Sequence, residues 1–263
     1  MVRLVTQKDR EKLATLRDSE KKKLEMYNMI KKEYGGFFFC KYDSVAEVFE
    51  RDPATGFRFL YICTFADNDG YIRADDRFCT KAIHFTEIWG ACTSTTYKFL
   101  NDLVSAGLLC RTEDKRYRIA PGIYSMHINN TDFHKNSYRM FSNSIRHLYE
   151  NSDPREHGSL GEMFRLIPYL NIHHNVLCHN REEADLRKIE PLSKSDICAA
   201  LRPDSDYGRK LLKNFDRFTL WSRPVLISAY ESGKEHYVIN PRLLYCGGRP
   251  DNLYRVMRQF SEK

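Results

Sequence analysis

No two of the eight cysteines form a C-x-x-C pair, and no hydrophobic run approaches the length that spans a bilayer. Cys40, Cys63, Cys79, Cys92, Cys110, Cys178, Cys198 and Cys246 are mostly interleaved with apolar residues. That scatter excludes a disulfide framework and points to reduced, buried thiols in a cytosolic chain. No apolar run follows a basic start, so no signal peptide is expected, and the expected location is the cytoplasm. Also missing are a G-x-x-x-x-G-K-[ST] loop and an H-E-x-x-H helix. Gly247-Gly248-Arg249-Pro250 is too short to cradle a phosphate. The sixteen tyrosines have no His-x-His metal pair beside them, so a nicking enzyme is not indicated either. Without a nucleophile–metal arrangement, neither enzymatic activity nor a cofactor is expected. The one dense set of metal-ligand types, His173, His174, Cys178 and His179, lacks the two separated pairs of a structural zinc site. It reads as a polar loop, with metal binding the open alternative.

What is present suits two domains. The chain has 263 residues, of which 42% are hydrophobic, enough for packed cores. Its net charge of +7 and pI of about 8.9 favour a polyanionic partner, nucleic acid before a membrane surface.

Phe85 to Leu109 organises the rest. Phe85, Ile88 and Trp89 give a first helix an apolar face, and Gly90 stops it. Thr93 and Ser94 are N-cap candidates for a second helix, whose buried side is Thr96, Phe99, Leu100 and Leu103. Its other side carries Thr93, Ser94, Thr95, Tyr97, Lys98 and Asn101. Two such helices around a glycine turn are the helix-turn-helix used for major-groove entry.

Before it, residues 6–34 read as a charged helix with one apolar stripe (Leu13, Leu16, Leu24, Tyr27, Ile30), a dimerisation helix being the alternative. Phe37 to Tyr42 reads as a strand, 44–50 as a short helix ended by Asp52-Pro53, and Phe57 to Phe65 as an amphipathic helix. A turn at Asp67–Gly70 leads to a short strand at Tyr71-Ile72. After the helix pair, Cys110-Arg111 and Tyr117–Ile119 flank a polar turn, so a small hairpin with Lys115 and Arg116 at its tip completes a winged helix. Tyr138, Phe141, Ile145 and Leu148 then predict a connecting helix, with a boundary in the polar run to Gly158.

An internal repeat follows. Ile197–Leu220 aligns without a gap on Phe85–Leu108, every residue 112 positions on (197 − 85 = 112). Lys210 falls on Lys98, Leu212 on Leu100 and Phe215 on Leu103. Tyr237–Pro241 repeats Tyr117–Pro121 at a spacing of 120, so the second hairpin is eight residues longer, with its tip near Glu231–Lys234. Phe164–Leu170 and Val176-Leu177 stand for the helix at Phe57–Phe65 and the strand at Tyr71-Ile72.

Tyr237-Val238-Ile239-Asn240-Pro241, followed by Leu244-Tyr245, Gly247 and an amphipathic run to Phe260, resembles the end of the winged helix in the Firmicute plasmid replication protein RepL family. Phe39–Tyr42 through Ala120-Pro121 is similar, with Ala120 in place of the asparagine. The resemblance implies DNA binding more than replication. The fold expected is α+β, mainly helical, with two tandem winged helix-turn-helix domains, an N-terminal helix and a connecting helix. The domains are 1–35, 36–125, 126–158, 159–248 and 249–263. The function expected is sequence-specific binding of double-stranded DNA by a plasmid, phage or bacterial regulator or replication initiator. The alternative is a winged-helix protein-contact module of a replication or transcription complex. Candidate DNA contacts are Thr93, Ser94, Thr95, Tyr97, Lys98, Asn101, Lys115 and Arg116 in the first unit. In the second they are Ser205, Arg209, Lys210, Lys213 and Lys234, with Asp204 and Asp206 as capping residues. Double-stranded DNA is the partner, with replication or transcription machinery and a homodimer left open and no membrane expected.

Overall fold

The computed structural model describes residues 34–126, 137–201, 205–231 and 234–246, with Lys21, Glu25, Asn28 and Lys32 as single helical positions before them. Most of the helix expected over 6–34 and all of the C-terminal helix at 249–263 lie outside the described residues. The fold is mixed α+β, with eight α-helices and small antiparallel sheets among the described residues. None of these helices is long and apolar enough to cross a membrane.

The aromatic run forms β1 (Phe37–Lys41), followed by a 3₁₀ turn and α1 (Ala46–Arg51). Asp52-Pro53 ends α1 and at once starts α2 (Pro53–Cys63). Proline suits the first turn, where its missing N–H has no helical partner to lose, and the Asp52 carboxylate accepts from the Thr55 N–H (3.2 Å) and hydroxyl (2.7 Å). Eight of the eleven α2 residues are buried, so the helix expected here as amphipathic is buried over most of its circumference. Next come β2 (Arg73–Ala74) and β3 (Arg77–Phe78), a hairpin turned by Asp75 and Asp76 at φ 46° and 62°. Then follow α3 (Ala82–Trp89), α4 (Thr93–Ser105), β4 (Leu109–Arg111), β5 (Tyr117–Ile119) and β6 (Tyr124–Ser125).

The second half starts at β7 (Ser137–Phe141), continues with α5 (Ser142–Glu150) and α6 (His157–Phe164), and reaches α7 (Lys194–Leu201) and α8 (Ser205–Phe215). It closes with β8 (Thr219–Leu220), β9 (Arg223–Pro224), β10 (Leu226–Glu231), β11 (Lys234–Ile239) and β12 (Leu244–Tyr245). Two expectations are corrected. Tyr138 and Phe141 belong to a strand, because this segment pairs with β1 along its whole length; only Ile145 and Leu148 are helical. The helix expected over Phe164–Leu170 ends at Phe164, and Pro168, which has no N–H to give an α-helix, sits in a 3₁₀ turn.

The two halves use the same hydrogen bonds. Ile72 N–H donates to Tyr117 O (3.0 Å) and Ile119 N–H to Gly70 O (2.8 Å). Leu177 N–H donates to Tyr237 O (2.8 Å) and Ile239 N–H to Asn175 O (3.2 Å). Gly70 (φ 84°) and Asn175 (φ 56°) are both left-handed, and glycine and asparagine are the residues that adopt that region most readily. Lys41 N–H reaches Ile123 O (2.9 Å) as Phe141 N–H reaches Leu243 O (3.2 Å).

One four-stranded sheet joins the halves in the order β12-β7-β1-β6. Within it Phe39 pairs with Arg139, its counterpart 100 positions on, and Cys40–Tyr124 matches Met140–Leu244. An antiparallel pair whose facing residues are equivalent has a local two-fold axis at that point. Here the axis passes between Phe39 and Arg139. The counterpart helices α2 and α6 also pack on each other, so closely that a Cβ on Gly161 would lie 1.9 Å from the Pro53 carbonyl oxygen. The main apolar core runs from Phe38 to Leu244 through both halves, with two smaller clusters around Phe141 and Val238.

Candidate nucleic-acid interface

The helix pair of the first half is built as its sequence suggests, with one change. Gly90 ends α3 in the left-handed conformation (φ 59°, ψ 28°), turning the chain into α4. The N-cap of α4 is Cys92, not Thr93 or Ser94. Its backbone is extended, and its thiol lies 3.3 Å from the Ser94 hydroxyl and 3.1 Å from that of Thr95. Those two hydrogen bonds pull the exposed Cys92 thiol down to about 7. Thr96, Leu100 and Leu103 are buried, which turns Thr93, Ser94, Tyr97, Lys98 and Asn101 outwards. Tyr97 is 55% exposed, unusual for a side chain of that size, while Thr95 is half-buried.

The hairpin β4–β5 follows directly. Lys115 is exposed at its turn with φ 64°, whereas Arg116 is engaged. Arg116 pairs with Asp114 at 2.8 Å, and its guanidinium lies 4.1 Å over the Phe78 ring. The Thr112 hydroxyl, which hydrogen-bonds Asp114, holds that carboxyl below its usual range ahead of any effect of Arg116. Tyr117 N–H donates to Cys79 O (2.9 Å), joining β5 to the end of the β2–β3 hairpin. Arg73 covers Phe78 at 4.7 Å, and Arg118 covers Tyr71 at 5.3 Å. This layer of arginine on aromatic rings adds Arg73 and Arg118 to the candidates. The signal was in the sequence, in the interleaving Tyr71-x-Arg73, Arg77-Phe78 and Arg116-Tyr117-Arg118; the two-residue strands that gather it were too short to read.

In the second half, α7 starts and ends 112 positions after α3, and α8 starts 112 after α4. Ser193 and Asp196 form a reciprocal cap at the start of α7: Ser193 N–H donates to the Asp196 carboxylate (2.9 Å) and Asp196 N–H to the Ser193 hydroxyl (3.2 Å). Gly208, the counterpart of Thr96 in the repeat, lets α8 approach α7 so closely that a Cβ there would lie 2.5 Å from Cys198 O. Arg209, Lys210 and Lys213 are exposed along α8. Arg209 is tied to Asp206 at 2.5 Å, and with Lys213 it lines a groove of about 450 Å³ between α8 and the β10–β11 hairpin. Asp206 therefore holds a neighbour on its own helix. Lys234 is exposed at the start of β11, and Tyr230 beside the turn is 79% exposed, a candidate that was not anticipated. Ser205 opens α8; its side chain, like Asp204, lies outside the described residues.

His173, His174, Cys178 and His179 do not converge. The His173 and His174 N–H groups donate to Asn171 Oδ1 (2.9 Å each), His174 Nε2 lies 2.9 Å from Ala184 O, and His179 lies 3.7 Å from Asp196. Among the described residues no three His, Cys, Asp or Glu side chains form a metal-binding group. No family model, curated protein or solved structure matches the chain.

Proposed function

We propose that each half is a winged helix-turn-helix and that the chain binds double-stranded DNA, with α4 and α8 as recognition helices. The observation that carries this reading is the twofold reuse of one element set. A helix pair at a constant spacing of 112 precedes a hairpin tied to an earlier strand by the same two hydrogen bonds, and Lys98 and Lys210 are exposed at matching positions. The first domain is 36–125, and the second begins at Ser137 in this reading, since the repeat starts with β7. The likeness of Tyr237–Pro241 to the RepL winged helix supports DNA binding and leaves regulator and initiator equally open. The local two-fold axis adds a specificity. Recognition helices related by a dyad read two half-sites in inverted orientation. Because α4 offers Thr, Ser, Tyr and Lys while α8 offers Arg and Lys beside Asp206, the two half-sites differ in sequence.

A second reading has its own observation. Arg209 is held by Asp206 on the surface of α8, so that helix can serve as a protein contact while α4 alone binds DNA. Duplexes selected from a random pool, then titrated across salt, separate the two. Lys98→Ala and Lys210→Ala each flatten the log–log salt slope by about 0.9 if each lysine meets one phosphate. A change with Lys98→Ala alone supports the single-headed reading. No selected duplex rules out both, and two unchanged slopes remove both lysines from phosphate contact.

A further inference from the structure

A cleft of about 500 Å³ lies where α3 and α4 of the first half meet the α5–α6 corner of the second. Two of its wall residues carry a buried nitrogen without a hydrogen-bond partner, Arg58 Nε and Trp89 Nε1, and the His157 ring, which leans on the Tyr149 backbone, lies beside them. Trp89 is only 5% exposed and His157 3%. Buried donors are almost always paired, so two unpaired on one cleft point to an absent acceptor. Burial, then the nearby Arg58 charge, lowers His157 to about 4 and leaves its imidazole neutral at pH 7. Arg58, its guanidinium 4.0 Å over the Phe99 ring, is the cation of the three.

The second half supplies an internal comparison. Phe164-Arg165 repeats Phe57-Arg58, and there the arginine is consumed. Arg165 donates to the Glu162 carboxylate (2.7 Å) and to the carbonyl of Leu201, the residue 112 after Trp89. Three positions before Arg58 stands Thr55 instead of a glutamate, and its hydroxyl is given to Asp52. The first half thus keeps an arginine without the direct carboxylate and carbonyl contacts that hold Arg165, with Asp52 and Asp102 acting on it only through space. The cleft also reaches the start of α4 at Cys92 and Thr95, where backbone N–H groups and the helix dipole favour negative charge. Its remaining walls include the rings of Phe99, Tyr61 and Tyr149 together with Glu87 and Glu150.

We propose that this cleft binds a small planar aromatic molecule bearing one carboxylate, with the carboxylate on Arg58 and the start of α4 and the ring system against Trp89, Phe99 and Tyr149. The volume lies within the range of roughly 300–1,000 Å³ for small-molecule sites. One arginine matches one carboxylate, while Glu87 and Glu150 on the walls turn away more highly charged anions. The site stands whether or not the chain binds DNA.

The test uses the full chain, the probe 2-naphthoate and its neutral isostere 2-naphthamide, read on the two tryptophan indole N–H signals by NMR. Trp221→Phe identifies which signal belongs to Trp89. The Trp89 signal moves saturably with 2-naphthoate while that of Trp221 stays, and 2-naphthamide binds the unaltered chain about tenfold or more weakly. Arg58→Met, which keeps the packing of the stem, removes that preference. Equal binding of naphthoate and naphthamide to the unaltered chain overturns the carboxylate assignment without any variant. A Trp89 signal that does not respond overturns the site.

Discussion

At the scale of single residues, Cys92 is set apart from the other described thiols. Burial pushes Cys40 and Cys79 up to about 12 and Cys178 to about 11, and lifts Cys63 well above its usual value. Cys92 is exposed, caps α4, and is drawn down to about 7 by the Ser94 and Thr95 hydroxyls. The thiolate is the form that alkylates, and a depressed value means it is populated above about pH 7 and lost below it. Iodoacetamide therefore labels Cys92 ahead of the five buried thiols, Cys198 included. Its rate against pH has a midpoint near 7, and the Ser94→Ala, Thr95→Val double variant moves that midpoint towards 9. Peptide mass spectrometry after timed quenching reads both. A midpoint near 9 in the unaltered chain would contradict the cap geometry. The sequence marked this turn as a helix start but assigned the cap to Thr93 or Ser94. It could not show that the extended backbone of Cys92 precedes them.

At the scale of elements, α6 meets α2 at the tightest of the described glycine contacts. A Cβ at Gly161 meets the Pro53 carbonyl oxygen at 1.9 Å, a contact with backbone that no rotamer relieves. Gly161→Ala forces the helices apart and costs about 3 kcal/mol. In a chain of this size that is a fall in Tm of roughly 6–12 °C by circular dichroism. Gly158→Ala, on the same helix but with nothing within 4 Å of the new Cβ, is the control and stabilises slightly. A Tm unchanged by Gly161→Ala would mean that α2 and α6 are not in this contact. The elements legible in the sequence were those with more than one signal. For α3 and α4 these were an apolar stripe, a stop glycine and a second copy 112 residues on. β7 had one signal: Tyr138, Phe141, Ile145 and Leu148 fit a helix by spacing, and nothing local shows that Ser137–Phe141 has β1 as its partner. The β2–β3 and β8–β9 hairpins are two residues a side, too short for an alternating pattern. Trp221-Ser222, at φ 48° and 67°, is not a pair that marks such a turn.

At the scale of the whole molecule, the sequence repeat says that two units exist but not how they face each other. The pairing of Phe39 with Arg139 supplies that relation, because a residue opposite its own counterpart fixes a two-fold axis. If α4 and α8 are the recognition helices proposed above, a repeat laid end to end by translation would set them in the same sense along DNA, and a dyad in opposite senses. The difference can be measured once a duplex has been selected. Reversing one half-site in place, with the other half-site and the spacing unchanged, lets only one helix bind in register. The affinity then falls to that of a single half-site, a loss of about 100-fold or more where both helices engage together. Fluorescence anisotropy at fixed salt reads the loss. Unchanged affinity means that one helix alone contacts DNA. Tighter binding to the reversed duplex means that the helices read direct repeats, and the axis through Phe39 and Arg139 then organises the protein without organising its site.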